Sequence, residues 1–189
     1  MSQQNRAEQI LTQCEALLNG HFLLTSGRHA GQYMQCAKVQ QYPRRLEEIA
    51  EIIAEGFARD EVDVVVAPAI GGIVIGYELA RKLGAMSIFT ERVDGKVTLR
   101  RGFEIPKGAK VVIAEDVITT GLSTKEVIEV VNEQGGQLVG VGVIADRTGG
   151  NAPLDTKVVA AYSKNIISYE AQDCPLCKES GPPVKPGSR

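Results

Sequence analysis

The valine-rich run Val62–Ala67 constrains this chain more than any other segment. β-Branched side chains suit extended backbone. Apolar residues at consecutive positions, Val64, Val65 and Val66, mark a strand covered on both faces, as in a parallel sheet. Strand-sized segments recur at Ser87–Glu91, Lys110–Ala114 and Leu138–Ala145, with short ones at Val158–Tyr162 and Ile166–Ser168. Helical spacing fills the intervals: Ile73–Leu83, stopped by Gly84, and Leu122 to about Gln134, stopped by Gly135-Gly136. Strands alternating with helices imply right-handed βαβ crossovers. The expected class is α/β, a mostly parallel sheet flanked by helices.

The flanks are less regular. Residues 3–19 carry apolar Ala7, Ile10, Leu11, Cys14, Leu17 and Leu18 at helical spacing, ended by Asn19-Gly20. Residues 21–36 mix extended pieces with turns at Ser26-Gly27 and Ala30-Gly31. Pro43 opens a helix that runs to about Arg59. Val97–Ile105 suggests a strand pair or flap, with Asp94-Gly95 as its turn. Residues 173–189 hold four prolines and are expected to form a non-regular arm after a single domain over 1–172.

A chain of 189 residues suits one domain with one sizeable core. The formal net charge of −2 lacks the basic excess of a nucleic-acid footprint. No apolar run approaches the ~20 residues of a membrane helix, and MSQQNRAEQI lacks a signal core. A cytoplasmic protein without nucleic-acid or membrane partners is expected. Of the cysteines, Cys174 and Cys177 form a CxxC. Zinc usually takes a second such pair or histidines, and His21 and His29 stand far from it in the chain. Reduced thiols in the arm are the expectation.

In parallel sheets ligands bind beyond the carboxyl ends of the strands. After the third strand the chain reads VVIAEDVITTGLST, residues 111–124. Glu115 and Asp116 close the strand. Val117, Ile118, Thr119, Thr120 and Gly121 lead into a helix that begins at Leu122 and Ser123. Successive N–H groups of a Thr/Gly loop at a helix N-terminus form an anion cradle. Gly121 lets backbone approach a phosphate closely. Two carboxylates just before the cradle can accept hydrogen bonds from a vicinal diol, so a ribose 5-phosphate would meet both. Neither GxxxxGK[ST] nor GxGxxG is present.

This segment resembles the phosphoribosyl diphosphate (PRPP) motif of the type I phosphoribosyltransferases. HFLLTSGRHAGQYMQCAKV, APAIGGIVIGYELARKLG, FTERVDGKVTLRRGFEI and the ADR at 145–147 narrow the resemblance to the orotate phosphoribosyltransferases. It spans about residues 15 through 170. It implies that fold, with a small N-terminal hood within 1–40 and a flexible β-flap. It also implies transfer of the 5-phosphoribosyl group from PRPP to orotate. The products are orotidine 5′-monophosphate and diphosphate, in pyrimidine (UMP) biosynthesis. Mg²⁺ is the implied cofactor, bound mainly through PRPP rather than by side chains.

The resemblance assigns roles residue by residue. The 117–123 loop would hold the 5-phosphate, with Glu115 and Asp116 on the ribose hydroxyls and Asp116 catalytic. Ile70 and Gly71 would bind diphosphate through backbone N–H groups. Arg92 and the catalytic Lys96, four residues apart, would belong to a loop, 91–101, shared across a homodimer. Arg147, with Thr119, Tyr33 and Met34, would hold orotate, the guanidinium gripping its carboxylate. Relatives often have lysine where Thr25, Gly71 and Val93 stand. Two alternatives remain: transfer to another base such as a purine, which needs no carboxylate-binding arginine, or a PRPP-sensing regulator, which would want a basic face.

Overall fold

The computed structural model describes residues 2–24 and 26–186; Thr25 therefore lies outside the described residues. The elements are, in order, α1 (Gln3–Gln13), β1 (Leu17–Leu23), β2 (His29–Met34), α2 (Ala37–Gln40), α3 (Pro43–Glu55), β3 (Val64–Pro68) and α4 (Gly71–Leu83). There follow β4 (Met86–Val93), β5 (Lys96–Leu99), β6 (Lys110–Ile118), α5 (Leu122–Glu133), β7 (Gln137–Asp146), β8 (Val158–Ser163) and β9 (Ser168–Tyr169). A 3₁₀ turn (Ala171–Asp173) and a short α6 (Leu176–Glu179) complete the described chain.

The main sheet has the order β5-β4-β3-β6-β7-β8, parallel except for the edge strand β5. Both of its faces are buried. Val65, Ala67, Val112, Ala114 and Ile144 face one core with α1, α3 and α4 residues such as Leu11, Ile53 and Leu79. Val64, Val66, Val111, Ile113, Val141 and Val143 face the other with Val127 and Val131 of α5. Alternate side chains point to opposite faces, so a sheet apolar on both sides produces the run of valines without a polar alternation.

The chain moves outward from β3 to β4 on one side, then returns to lay β6 on the other and continues to β7 and β8. The direction of winding reverses between β3 and β6, and such a switch point opens a crevice at the carboxyl ends of the strands. Pairing of β3 with β6 stops at Val66–Ile113, whereas β6 stays paired with β7 to Ile118–Asp146. The last residues of β6 therefore run past the point where β3 has left its side.

Three differences from the sequence expectation have local causes. The first helix ends at Gln13 rather than near residue 19, because Glu15 turns left-handed (φ 54°). Leu17 and Leu18 then pair with Met34 and Tyr33 in a β hairpin, a tertiary contact that overrides helical spacing. The hairpin and β9 make a small antiparallel sheet, order β1-β2-β9, beside the main one. The helix begun at Pro43 stops at Glu55, where Gly56 packs so closely that a Cβ would lie 2.4 Å from Val159. The arm is docked rather than loose. Val184 exchanges backbone hydrogen bonds with His21 and Leu23 at 2.8 and 2.9 Å, and Cys174 and Cys177 lie against His21 and His29.

The flap is a tight hairpin. β4 and β5 pair from Thr90–Leu99 to Val93–Lys96, and Asp94 and Gly95 take positive φ of 49° and 83°, as the two-residue turns of twisted hairpins require.

α4 can approach β3 because Gly76 has no side chain: a Cβ there would sit 2.7 Å from that of Ala67. Neither backbone has room to shift within a two-faced sheet. Gly76→Val should lower stability by roughly 2–3 kcal/mol, since overpacking outweighs the few tenths gained in helix propensity. Urea denaturation of parent and variant measures the difference.

Candidate active site

The segment after β6 enters the crevice at the switch point. Glu115 is buried and Asp116 half-buried, both within β6, which continues through Val117 and Ile118 by pairing with β7 rather than giving way to a loop after Ala114. The Glu115 carboxylate accepts hydrogen bonds from the Asp116 N–H at 3.2 Å and from Ser123 Oγ at 3.1 Å. Among the described residues neither acid has an ion-pair partner. Burial, and then the neighbouring Asp116 charge, push the Glu115 carboxyl well above the usual carboxylate range. Burial also pushes Asp116 up. A cation or a hydroxyl-bearing ligand here would meet acceptors already removed from water.

The loop beyond them leads to α5. Gly121 is left-handed (φ 70°) and its carbonyl accepts the first helical hydrogen bond, from Lys125 N–H. No side chain caps the helix. The first-turn N–H groups therefore point out unsatisfied, with the positive end of the helix dipole behind them. Thr119 and Thr120 are exposed next to them. Acid pair and anion cradle meet through the Ser123–Glu115 bond.

The turn after β3 forms the facing wall. Its Ala69–Ile70 peptide is cis, and Ala69 N–H donates to the Thr90 carbonyl. Gly71 lies directly against Asp116: a Cβ there would come within 2.5 Å of Asp116 Oδ2. Any side chain at 71, a lysine included, would have to displace that carboxylate. The turn is clamped by Gln40 at the end of α2, whose amide donates to the Gly71 carbonyl at 2.9 Å and accepts from Ile75 N–H at 3.1 Å. Gln40 escaped the sequence reasoning. It lies 31 residues from Gly71, and no local pattern marks it.

Arg147 follows β7. Its backbone N–H bonds to the Ile118 carbonyl at 3.0 Å, tying it to the end of β6. Its Nε is buried without a partner, and among the described residues it forms no ion pair. The adjacent Asp146 is fully engaged elsewhere, accepting from Thr148 N–H and Oγ, Gly150 N–H and Ser163 Oγ. An Arg147–Asp146 pair is thus excluded. Burial pushes the guanidinium down, while Tyr33 and Cys36 oppose the shift. Burial pushes the Cys36 thiol up, with the Asp116 and Glu115 charges adding to the shift and Arg147 opposing it. Tyr33 and Met34, at the end of β2, are half-buried beside this region.

The structure does not bring Arg92 and Lys96 to this crevice. Arg92 pairs with Glu126 of α5 and donates to the Gly95 carbonyl. Lys96 borders a groove with Glu126, Glu129 and Glu133. Val93 lies at the exposed tip of the same hairpin.

The sequence profile of the phosphoribosyl transferase domain matches residues 35–176. The orotate phosphoribosyltransferase of Caldicellulosiruptor saccharolyticus is 51% identical over 96% of this chain and 95% of its own. The chain belongs to the orotate phosphoribosyltransferase family. Among solved structures, orotate phosphoribosyltransferase from Aeropyrum pernix matches with TM-score 0.66 and 25% identity, over 83% of this chain and 93% of that one. Adenine phosphoribosyltransferase from Rhodothermus marinus matches with TM-score 0.65 and 22% identity, over 84% and 99%. The fold alone therefore does not choose the base within this family.

The buried acid makes stability depend on pH. Because the folded Glu115 carboxyl titrates above its unfolded value, the native state holds more protons between the two, and stability falls as pH rises through that window. Glu115→Gln removes this cost while keeping an oxygen for Asp116 N–H and Ser123. Without ligands, the variant should exceed the parent in stability by about 1–3 kcal/mol at about pH 8, with a smaller gain at about pH 5. Denaturation midpoints at both pH values test the sign.

Proposed function

We propose that the chain transfers the 5-phosphoribosyl group of PRPP to orotate, with the crevice between β3 and β6 as its site. The observation that carries the choice of base is Arg147, a half-buried arginine whose Nε is buried without a partner and whose backbone is tied to the end of β6. Orotate is a base with a carboxylate, and a purine has none to offer. Two charge-assisted hydrogen bonds from one guanidinium would fix the ring's orientation.

In this reading the 5-phosphate rests on the first turn of α5, between Thr119, Thr120, Gly121 and Ser123. Glu115 and Asp116 accept hydrogen bonds from the ribose hydroxyls. Their negative charge lies beside the ring carbon as its bond to diphosphate lengthens and positive charge develops there. Stabilising that charge and aligning the orotate nitrogen are the protein's main contributions. The backbone of 70–71 lines the diphosphate side, with Gly71 leaving the Asp116 carboxylate in place.

The donor set fits Mg²⁺, a hard ion that favours oxygen ligands: two carboxylates stand together with no cation to balance them. When bound through PRPP oxygens and water, Mg²⁺ would neutralise charge on the departing diphosphate. Arg92 and Lys96 belong to the same chemistry if their hairpin serves a second subunit. An exposed apolar row at the start of α4, Ile70 just before the helix and Val74 and Tyr77 on it, supports a homodimer.

Loss of orotate absorbance with PRPP and Mg²⁺ tests the reaction, with adenine, xanthine and uracil as parallel acceptors. Orotate should be the base consumed, and added diphosphate should reverse the reaction; turnover of adenine instead would overturn the assignment. Arg147→Ala should lose about 2–3 kcal/mol of transition-state binding, roughly 30- to 150-fold in kcat/KM for orotate, with PRPP affinity nearly kept.

Subunit sharing has its own test. Asp116→Asn and Lys96→Ala should each be nearly inactive alone. Mixed and allowed to exchange subunits, they should regain activity, because one site of each mixed dimer then has both side chains. A mixture no more active than its parts would argue for sites built within one chain.

A further inference from the structure

One side-chain cluster lies outside the phosphoribosyl site and plays no part in its chemistry. His21, His29, Cys174 and Cys177 each offer a ligand atom, and the four atoms lie within 4.8 Å of one another. His21 Nε2 is 3.0 Å from His29 Nδ1 and 3.5 Å from Cys174 Sγ. Cys177 Sγ is 3.4 Å from His29 Nδ1 and 3.9 Å from His21 Nε2. Zinc bonded to nitrogen at about 2.05 Å and to sulfur at about 2.3 Å in a tetrahedron has N–N, N–S and S–S edges of roughly 3.3, 3.6 and 3.8 Å. The observed separations scatter around those edges. We propose that these residues form a structural Cys₂His₂ zinc site that fastens the C-terminal arm to the β1–β2 hairpin.

Three further features fit a closed metal site. His21 Nδ1 is 2.7 Å from the Gly181 carbonyl, which can only accept. The proton of a neutral His21 ring is therefore on Nδ1, and the Nε2 lone pair faces the cluster, as in metal sites where an outer carbonyl orients the ring. His29 Nδ1 and two sulfurs converge on that same lone pair. A His29-to-His21 hydrogen bond would use one of these groups and leave both thiols with nothing stronger than a weak sulfur contact. Charge also balances: two thiolates neutralise Zn²⁺, so the cluster can be buried with its two imidazoles neutral. His21, His29 and Cys174 are buried, while Cys177 is exposed and gives the ion a way in.

The ligands come from β1, β2 and the arm, and the register shift in the β1–β2 pairing falls between Asn19 and Phe22, at His21. A bulge re-aims a side chain in this way. His21 and His29 stand far from the CxxC in the chain, but the hairpin brings the two histidines together and the arm folds back onto them. Binding would release one proton from each thiol. The site would also brace β2, which carries Tyr33 and Met34 at its other end. The proposal does not depend on which base the enzyme uses.

The full chain, made without a histidine tag and dialysed, should contain about one zinc per chain by elemental analysis. The Cys174→Ser, Cys177→Ser double variant should contain less than about a tenth of that. Cobalt(II) exchanged into the unmodified protein should give the intense visible bands of a tetrahedral ion with thiolate charge transfer, a readout that needs no variant to fold. A strong chelator should lower the thermal midpoint of the parent and leave that of the double variant unchanged. Absence of zinc after incubation with it, weak octahedral cobalt bands, or full zinc in the double variant would each overturn the site. So would a Cys174–Cys177 disulfide in freshly isolated protein.

Discussion

The side-by-side burial of Glu115 and Asp116 is the constraint around which the rest of the site is arranged. Two carboxylates taken out of water repel each other and favour protonation. They persist because β6 runs beyond its pairing with β3 but stays paired with β7, which fixes both acids at the mouth of the crevice. In the proposed reaction the compensation would come from substrate hydroxyls and a cation. The same burial that costs stability in the free protein makes these oxygens strong acceptors once ligand displaces water. A site of this kind trades resting stability for function.

That trade explains the small residues around it. Asp116 leaves no room for a Cβ at Gly71, and Gln40 must hold the Gly71 carbonyl from outside because no side chain at 71 can do so. A lysine at this position would force the acid to move. In this chain Gly71 instead lies directly against Asp116, so in the proposed reaction diphosphate would be left to backbone N–H groups and to cations brought from elsewhere.

Much of this was legible in the sequence, for reasons that differ by element. The parallel strands announced themselves because a sheet buried on both faces leaves no polar alternation. The acid pair and cradle were legible because they are contiguous, residues 115–123, and local chemistry suffices to read them. The β1–β2 hairpin was not, since Leu17 and Leu18 carry helical spacing that pairing with Tyr33 and Met34 overrides. The clamp by Gln40 and the meeting of His21 and His29 with Cys174 and Cys177 depend on contacts across 31 to 156 residues of chain. Residue types announce such sites only when their spacing is short. Here the CxxC was visible and its partners were hidden by the fold.

The hairpin cations show how weak contacts can be useful. Arg92 is held by Glu126 and Arg101 by Glu91, both in exposed pairs. Among the described residues, Lys96 and Arg100 form no ion pair. Exposed pairs contribute about 0–1 kcal/mol each, far less than a multiply charged diphosphate offers the same guanidinium in a site shielded from water. The Arg92–Glu126 pair can therefore hold the hairpin against α5 without trapping it there. A chain with a net charge of −2 thus concentrates four cations, Arg92, Lys96, Arg100 and Arg101, within ten residues of the β4–β5 hairpin and the turn after it, where a change of partner costs little.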